Sequence, residues 1–262
     1  MAPQTIELSI VIPAHNEENR LVPTLETYCG YFGKLYADTY EIIVVANACV
    51  DRTAGVARDV AARFREIRVI EEPRPVGKGG ALLIGFDVAR GAAIGFVDAD
   101  GSTPPDAFHH LIRHLNGADI VIASRWHSKS TVEPRQPWKR RVASRVFNVL
   151  VRLLFGLQVS DTQCGAKVFK RQAYATVRSF LGLTRWAFDV DLLYQFRRHG
   201  FRILEIPTVW RDVAGSKLNL KRAAIEMSLA ITRLRLLYSP FRFVVEIYDH
   251  TLGKIVKLER FL

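Results

Sequence analysis

Two aspartates one residue apart, Asp98 and Asp100, stand in the stretch Gly95-Phe96-Val97-Asp98-Ala99-Asp100-Gly101-Ser102-Thr103-Pro104. The apolar run Ala92 to Val97 predicts a short strand buried on both faces, and Gly101 with the following prolines stops it. If extended geometry persists through Ala99, both carboxylates point to the same side. At the carboxyl end of a parallel strand they would stand in the crevice where open α/β sheets bind ligands. Hard oxygen donors on such a rim suit Mg²⁺ or Mn²⁺, and through the metal a diphosphate. Asp-x-Asp is also the pattern of two solvated turn aspartates, so the surrounding loops must separate the two readings.

The elements that would position these acids follow from hydrophobic patterning. Glu7 to Ile12 reads as a strand, followed by Pro13-Ala14-His15-Asn16-Glu17-Glu18 and a helix from about Asn19 to Tyr28. A second strand, Tyr40 to Ala46, ends at Asn47-Ala48-Cys49-Val50-Asp51-Arg52-Thr53, and a helix runs on to about Arg65. Ile67 to Glu71 is a third strand, Pro73 to Gly80 a loop, and Ala81 to Ala89 a helix leading to the acidic strand. Strands alternating with helices at this spacing predict a parallel, doubly wound sheet. The loops after its first, second and fourth strands would converge on one edge. There Gly77-Lys78-Gly79-Gly80 lets a backbone approach phosphate, and Lys78 adds a charge. The Walker spacing is missing, so an ordinary glycine loop stays open as an alternative. Asn47 can meet a base edge or simply form a turn. Glu17 can bind ribose hydroxyls or support a helix N-terminus.

Beyond the acids, Phe108 to Leu115 reads as a helix and Asp119 to Ser124 as a strand ending at Arg125. A basic, proline-broken loop, Trp126 to Trp138, precedes a helix from Lys139 to Phe155. That helix repeats Val142, Val146, Val149, Leu150 and Leu153 at helical spacing, with Arg141, Arg145 and Arg152 on another face. Such a face is either solvated or suited to anionic lipid. A polar loop, Asp161 to Lys167, leads into a short strand, and Asp189 and Asp191 fall in the first turns of the next helix. Ile203 to Val209 is a strand. Leu220 to Leu237 is a helix broken by Pro240, after which the Phe241–Tyr248 patch is either core or an interfacial segment.

The 262 residues, 49% of them hydrophobic, suffice for one substantial core with a small C-terminal extension. A net charge of +11 predicts an anionic partner: a phosphorylated substrate, an acidic membrane surface or nucleic acid. No nucleic-acid motif is recognisable, and the basic face alternates with aliphatics rather than stacking aromatics, so nucleic acid is set aside. No apolar run reaches the roughly 18–20 residues that span a bilayer, and no signal peptide precedes Leu8. The three cysteines lack metal-ligand spacing and predict reduced thiols in a cytoplasmic setting.

Together these motifs resemble the family 2 inverting glycosyltransferases of GT-A fold, and within them the dolichyl-phosphate β-glucosyltransferase and polyprenyl-phosphate sugar synthase branch. The blocks that carry the resemblance are Val11-Ile12-Pro13-Ala14-His15-Asn16-Glu17, Gly77-Lys78-Gly79-Gly80-Ala81, Asp98-Ala99-Asp100-Gly101 and Ala123-Ser124-Arg125. Asp161-Thr162-Gln163-Cys164-Gly165-Ala166-Lys167, Trp186-Ala187-Phe188-Asp189-Val190 and Gly215-Ser216-Lys217 extend it toward the lipid-phosphate branch.

The resemblance implies an α/β fold, a mostly parallel central sheet with helices on both faces, and C-terminal amphipathic helices. Residues 1–218 would form the catalytic domain and 219–262 the extension. It implies a Mg²⁺- or Mn²⁺-dependent transfer of a hexose, glucose from UDP-glucose, to dolichyl or polyprenyl phosphate with inversion. The alternatives are a GDP-mannose-dependent mannosyltransferase of the same branch and a transferase to a hydroxyl acceptor. Pro13, Ala14, Glu17, Asn47 and Ala99 would line the nucleotide-sugar pocket, and Lys78 would help hold the nucleotide. Asp98 would take the ribose or sugar, and Asp100 the metal with Asp98 beside it. Arg125 would sit near the sugar or acceptor phosphate, Arg135 and Lys217 would complete an acceptor clamp, and Asp189 would orient these cations or bind sugar hydroxyls.

One departure is visible: Ala46-Asn47-Ala48-Cys49 stands where the family usually has Asp-Asp-Gly-Ser or Asn-Asp-Gly-Ser, although an asparagine oxygen still accepts from a base imide. A hydroxyl acceptor would need a general base, for which Asp189 or Asp191 are the candidates, whereas a lipid monophosphate is already anionic. Family members often carry membrane helices, and peripheral attachment on the cytoplasmic face of a membrane, or a partner subunit, is expected in their place.

Overall fold

A computed structural model describes residues 5–134, 137–182, 187–211 and 220–251. The first half alternates as patterned: β1 (Leu8–Ala14), α1 (Leu21–Tyr36), β2 (Tyr40–Asn47), α2 (Thr53–Ala61), β3 (Ile67–Glu72), α3 (Gly77–Val88) and β4 (Ala93–Val97). The second half adds α4 (Pro105–Arg113), β5 (Ile120–Ser124), β6 (Thr131–Glu133), α5 (Trp138–Phe155), β7 (Ala166–Lys170) and α6 (Arg171–Val177). It closes with α7 (Phe188–Arg198), β8 (Ile203–Pro207), β9 (Val209–Arg211), α8 (Leu220–Leu237) and α9 (Arg242–Thr251).

Seven strands form one sheet in the order β3-β2-β1-β4-β7-β5-β8, parallel except for β7, which runs antiparallel to both β4 and β5. Every residue of β2 is buried, as expected of a strand covered on both faces. The chain steps outward from β1 to β3 and then crosses to place β4 on the other side of β1. That reversal is a topological switch point, and it opens a crevice at the carboxyl ends of β1 and β4. The opposite end of the sheet is closed by Glu41. Its carboxylate accepts from Ser9 Oγ at 2.7 Å, from the Arg90 amide at 2.7 Å and from Arg90 Nη2 at 2.9 Å. Burial would raise the Glu41 pKa, but these bonds hold it below the ordinary carboxylate value.

Several element boundaries differ from the sequence reading. Helix α3 begins at Gly77, so the glycines form its first turn instead of a loop ahead of it. Glycine's low helix propensity is overridden by packing, since α3 lies close against β1: a Cβ on Gly85 would come within 2.3 Å of Val11 Cγ1. Helix α1 extends two turns past Tyr28 because Tyr28, Cys29 and Phe32 continue its buried face. The single strand expected from Ile203 to Val209 divides at Thr208. Its first part joins the main sheet, and its second pairs with β6 in a separate two-stranded ribbon. Helix α8 sets Ala230, Ile231 and Leu234 into the core that also holds Phe86, Phe169 and Phe188. Among the described residues no helix is long and apolar enough to cross a membrane, and the three cysteines are free thiols.

Candidate active site

The loops after β1, β2 and β4 enclose a cavity of about 390 Å³ at the switch point. Pro13 and Ala14 form one side, Asn47, Ala48 and Pro75 a second, and the first turn of α3 contributes Gly77, Lys78 and Ala81. Asp98, Ala99 and Asp100 close it, with His15 and Glu17 at the edge. The structure therefore brings together Pro13, Ala14, Glu17, Asn47, Lys78, Asp98, Ala99 and Asp100. His15, Ala48 and Pro75 were not among the expected lining residues.

The two acids do not share one extended strand. β4 ends at Val97, and the chain turns at Ala99 and Asp100, so the alternation argument fails although both side chains still reach the cavity. Asp98 Oδ1 lies 2.6 Å from Lys78 Nζ. Burial pushes the Asp98 carboxyl above its ordinary value despite the Lys78 charge, with the negative charge of Asp100 adding to the effect. For Lys78, burial alone would lower the pKa, but the charges of Asp98 and Asp189 outweigh it and hold the ammonium protonated. Asp100 takes the Ser102 amide on Oδ1 at 3.0 Å and makes no ion pair with any described residue. It also lines a second cavity of about 290 Å³ beside α1 and α4.

The Asp161–Lys167 loop and β7 back these acids. The Asp98 amide donates to Gly165 O at 3.2 Å, and a Cβ on Gly165 would lie 1.8 Å from Asp98 Oδ2. A side chain there would have to displace the Asp98 carboxylate. Lys167, fully buried, donates to Asp189 Oδ1 at 2.5 Å and to Cys164 O at 2.8 Å. Asp189 is thus a buried counter-ion, 6% exposed, with Oδ1 taken by Lys167. Asp191 is buried beside α8, where Tyr238 Oη donates to it at 2.7 Å. Burial raises it to about 6 against the hydrogen bonds from Tyr238 and the Gly182 amide.

Asn47 lines the cavity but spends its amide on the loop that enters α3. Nδ2 donates to Glu72 O at 3.2 Å and to Arg74 O at 2.5 Å, while Oδ1 accepts from the Gly77 amide at 3.0 Å. It positions the α3 turn, which differs from the base contact expected of it. Glu17 is similarly occupied by Arg20, through Nε at 2.7 Å and Nη2 at 2.6 Å.

Arg125 is locked by Asp161 in a bidentate pair, Nε–Oδ2 2.8 Å and Nη2–Oδ1 2.9 Å, with its guanidinium 5.1 Å from the Trp210 ring centre. Burial would lower its pKa, but the Asp161 charge holds it well above the usual value. Arg135 and Lys217 lie outside the described residues, as does Trp186. The cations that the structure does place beside Arg125 are Arg141 and Arg145 of α5. With Trp126, His127, Ser128, Ser130 and one acid, Glu133, they line a cavity of about 530 Å³. Arg145 stacks 5.3 Å from the Trp126 ring centre, and Trp126 Nε1 is buried without a hydrogen-bond partner. An orphan donor among guanidinium groups makes this cavity suited to an oxyanion.

Residues 9–178 match the sequence profile of Glycosyl transferase family 2. The chain belongs to that family. It is 34% identical over 234 residues to glycosyltransferase AglD of Haloferax volcanii, covering 87% of this chain and 37% of that protein. It is 34% identical over 247 residues to the human dolichyl-phosphate beta-glucosyltransferase, covering 89% of this chain and 76% of that protein. The chain thus spans little more than a third of the first relative and about three quarters of the second. Its fold matches glucosyl-3-phosphoglycerate synthase from Mycobacterium tuberculosis, solved with Mn²⁺, uridine diphosphate and glucosyl-3-phosphoglycerate. The TM-score is 0.63 at 20% identity, over 86% of this chain and 78% of that one. This glycosyltransferase therefore has the GT-A architecture, with its 390 Å³ cavity at the switch point.

The donor set also bears on a metal. Among the described residues no three His, Cys, Asp or Glu side chains gather to hold one. Asp98 is already paired with Lys78, which leaves Asp100 as the available hard donor. One carboxylate with the remaining positions left to substrate phosphates and water fits Mg²⁺ or Mn²⁺ better than a closed structural site.

Proposed function

We propose that this family 2 enzyme transfers glucose from UDP-glucose to dolichyl or polyprenyl phosphate, inverting the anomeric centre. Residues 1–218 would be the catalytic unit and 219–262 an amphipathic extension. The observation that carries the reading is the state of Asp189 and Asp191. One is paired with Lys167 and the other is buried against Tyr238, so neither candidate base is free. An acceptor that needs no deprotonation suits such a site, and a monophosphate is already anionic at neutral pH. The dolichyl-phosphate glucosyltransferase relatives support the same acceptor.

In this reading the nucleotide occupies the 390 Å³ cavity, with the diphosphate at Lys78 and the N-terminal turn of α3, where helix amides favour anions. A divalent ion held by Asp100 would supply positive charge to the diphosphate as it leaves. Arg141 and Arg145, with Trp126 Nε1 donating, hold the acceptor phosphate; Arg125, fixed by Asp161, shapes that cavity. A phosphate oxygen attacks the anomeric carbon opposite the leaving group. The new C–O bond forms as the bond to the β-phosphate breaks, and no proton moves. Lys78 then balances the charge on the departing diphosphate, an electrostatic contribution that grows toward the transition state.

With Asn47 spent on backbone groups, the uridine assignment rests on the relatives, and GDP-mannose is the alternative donor. Incubating UDP-glucose and GDP-mannose separately with a short polyprenyl phosphate, with Mg²⁺, Mn²⁺ or a chelator, tests the proposal. The expected result is metal-dependent formation of a glucosyl lipid phosphate. A mannosyl product alone would reassign the donor, and donor consumption without lipid product would remove the acceptor.

A further inference from the structure

Helix α5 carries apolar side chains on two faces, and the fold uses only one. Phe147, Val151 and Phe155 are buried in the core. Trp138, Val142, Val146, Val149 and Leu153 recur at helical spacing on a face about 180° away and are 43–79% exposed. They form a column roughly 22 Å long at the helical rise per residue. Arg141, Arg145 and Arg152 follow the same repeat along one edge of that column, Lys139 stands on the other, and α5 contains no acid. A continuous exposed column of this kind marks an interaction site, unlike scattered surface aliphatics.

The charge pattern selects the occupant. A second copy of this chain packed face to face would set cations against cations in either orientation. A uniformly anionic lipid surface meets both requirements, taking the aliphatics into the headgroup–acyl boundary and the arginines at its phosphates. We infer that the outward column of α5 is the surface by which this enzyme lies on an anionic bilayer. Arg141 and Arg145 also line the 530 Å³ cavity, so the same docking sets that cavity at headgroup level. There a lipid monophosphate presents its phosphate while its tail stays in the bilayer. This use of the surface rests on the lipid-phosphate reading above; the docking itself does not.

The test pairs wild type with a Val146→Glu/Leu153→Glu double variant, both changes at side chains already in water. Co-sedimentation is measured with phosphatidylcholine vesicles with and without phosphatidylglycerol, at low and high salt. Wild type is expected to pellet with anionic vesicles, and the double variant to partition about tenfold less or lower still. Both should unfold at similar temperatures and transfer equally to a water-soluble short-chain isoprenyl phosphate. Wild type left in the supernatant, or a variant that pellets like wild type, overturns the proposal. So does a wild-type dimer that the variant dissociates without losing vesicle binding. Failure of both proteins on the short-chain acceptor would count against the proposed reaction and leave the docking result standing.

Discussion

At the scale of residues, the site is an arrangement of charges whose partners are already chosen. Asp98 is taken by Lys78, Asp189 by Lys167 and Arg125 by Asp161, which leaves Asp100 as the carboxylate with a free side for a cation. Asp100→Asn is therefore expected to keep the fold and lose nearly all transfer, because an amide is a poorer ligand for a hard ion. Near wild-type turnover at saturating Mn²⁺ would remove Asp100 from that role. Lys78→Ala should weaken UDP-glucose binding about ten- to hundredfold, the loss of one charge-assisted contact worth roughly 1.5–3 kcal/mol. Titration calorimetry with the donor alone checks this, and a selective loss of acceptor use would move Lys78 to the other side of the reaction. Gly165→Ala tests the backing of Asp98 directly. A methyl 1.8 Å from Oδ2 must displace the carboxylate, so activity should fall much further than thermal stability. Equal losses of both would make Gly165 a folding position only. The lining of the cavity was legible in the sequence because strand ends fix which residues face it. The pairings were not. Lys167 and Asp189 stand 22 residues apart and Arg125 and Asp161 36 apart, distances that no local periodicity encodes.

At the scale of elements, the alternation of β1 through β4 with helices was readable because each strand is a short apolar run bounded by turn residues. The antiparallel β7 was not, since its direction is set by neighbours on both sides. α7 carries two acids turned to different partners, Asp189 to Lys167 and Asp191 to Tyr238. The Asp191 side gives a pH-dependent consequence. Its value of about 6 in the folded chain, set mainly by burial, exceeds the ordinary 3.8. The folded state thus holds this proton more tightly, and the Asp191 contribution to stability falls as pH rises from about 4 through 6. The full loss is on the order of 2–3 kcal/mol above that window, at about 1.4 kcal/mol per unit. Asp191→Asn keeps an acceptor for Tyr238 without the charge. Its stability relative to wild type should therefore be near parity at pH 4 and clearly higher at pH 7.5 in urea unfolding. A difference independent of pH would mean that Asp191 is ionised at no cost in the fold.

At the scale of the molecule, one sheet separates an end closed by ion pairs from an end that opens on a cavity. The Glu41–Arg90 cluster closes the sheet at the amino ends of its parallel strands, and the crevice at their carboxyl ends is where the proposed donor would bind. The 530 Å³ cavity begins at Arg125 and lies between α5 and the segment that runs from β5 through β6. The sequence showed its arginines as a helix face but not that Arg145 stacks on Trp126, because that contact joins the segment after β5 to a helix nearly twenty residues on. The central claim is that the acceptor enters already ionised, since the two candidate bases, Asp189 and Asp191, are buried and held by Lys167 and Tyr238. The most direct measurement compares transfer of radiolabelled glucose from UDP-glucose to a polyprenyl phosphate and to the matching polyprenol, in the same detergent and with the same metal. Transfer to the phosphate, with a β-linked product and none from the alcohol, is the expected result; comparable transfer to the alcohol, or transfer to the alcohol alone, would contradict the account.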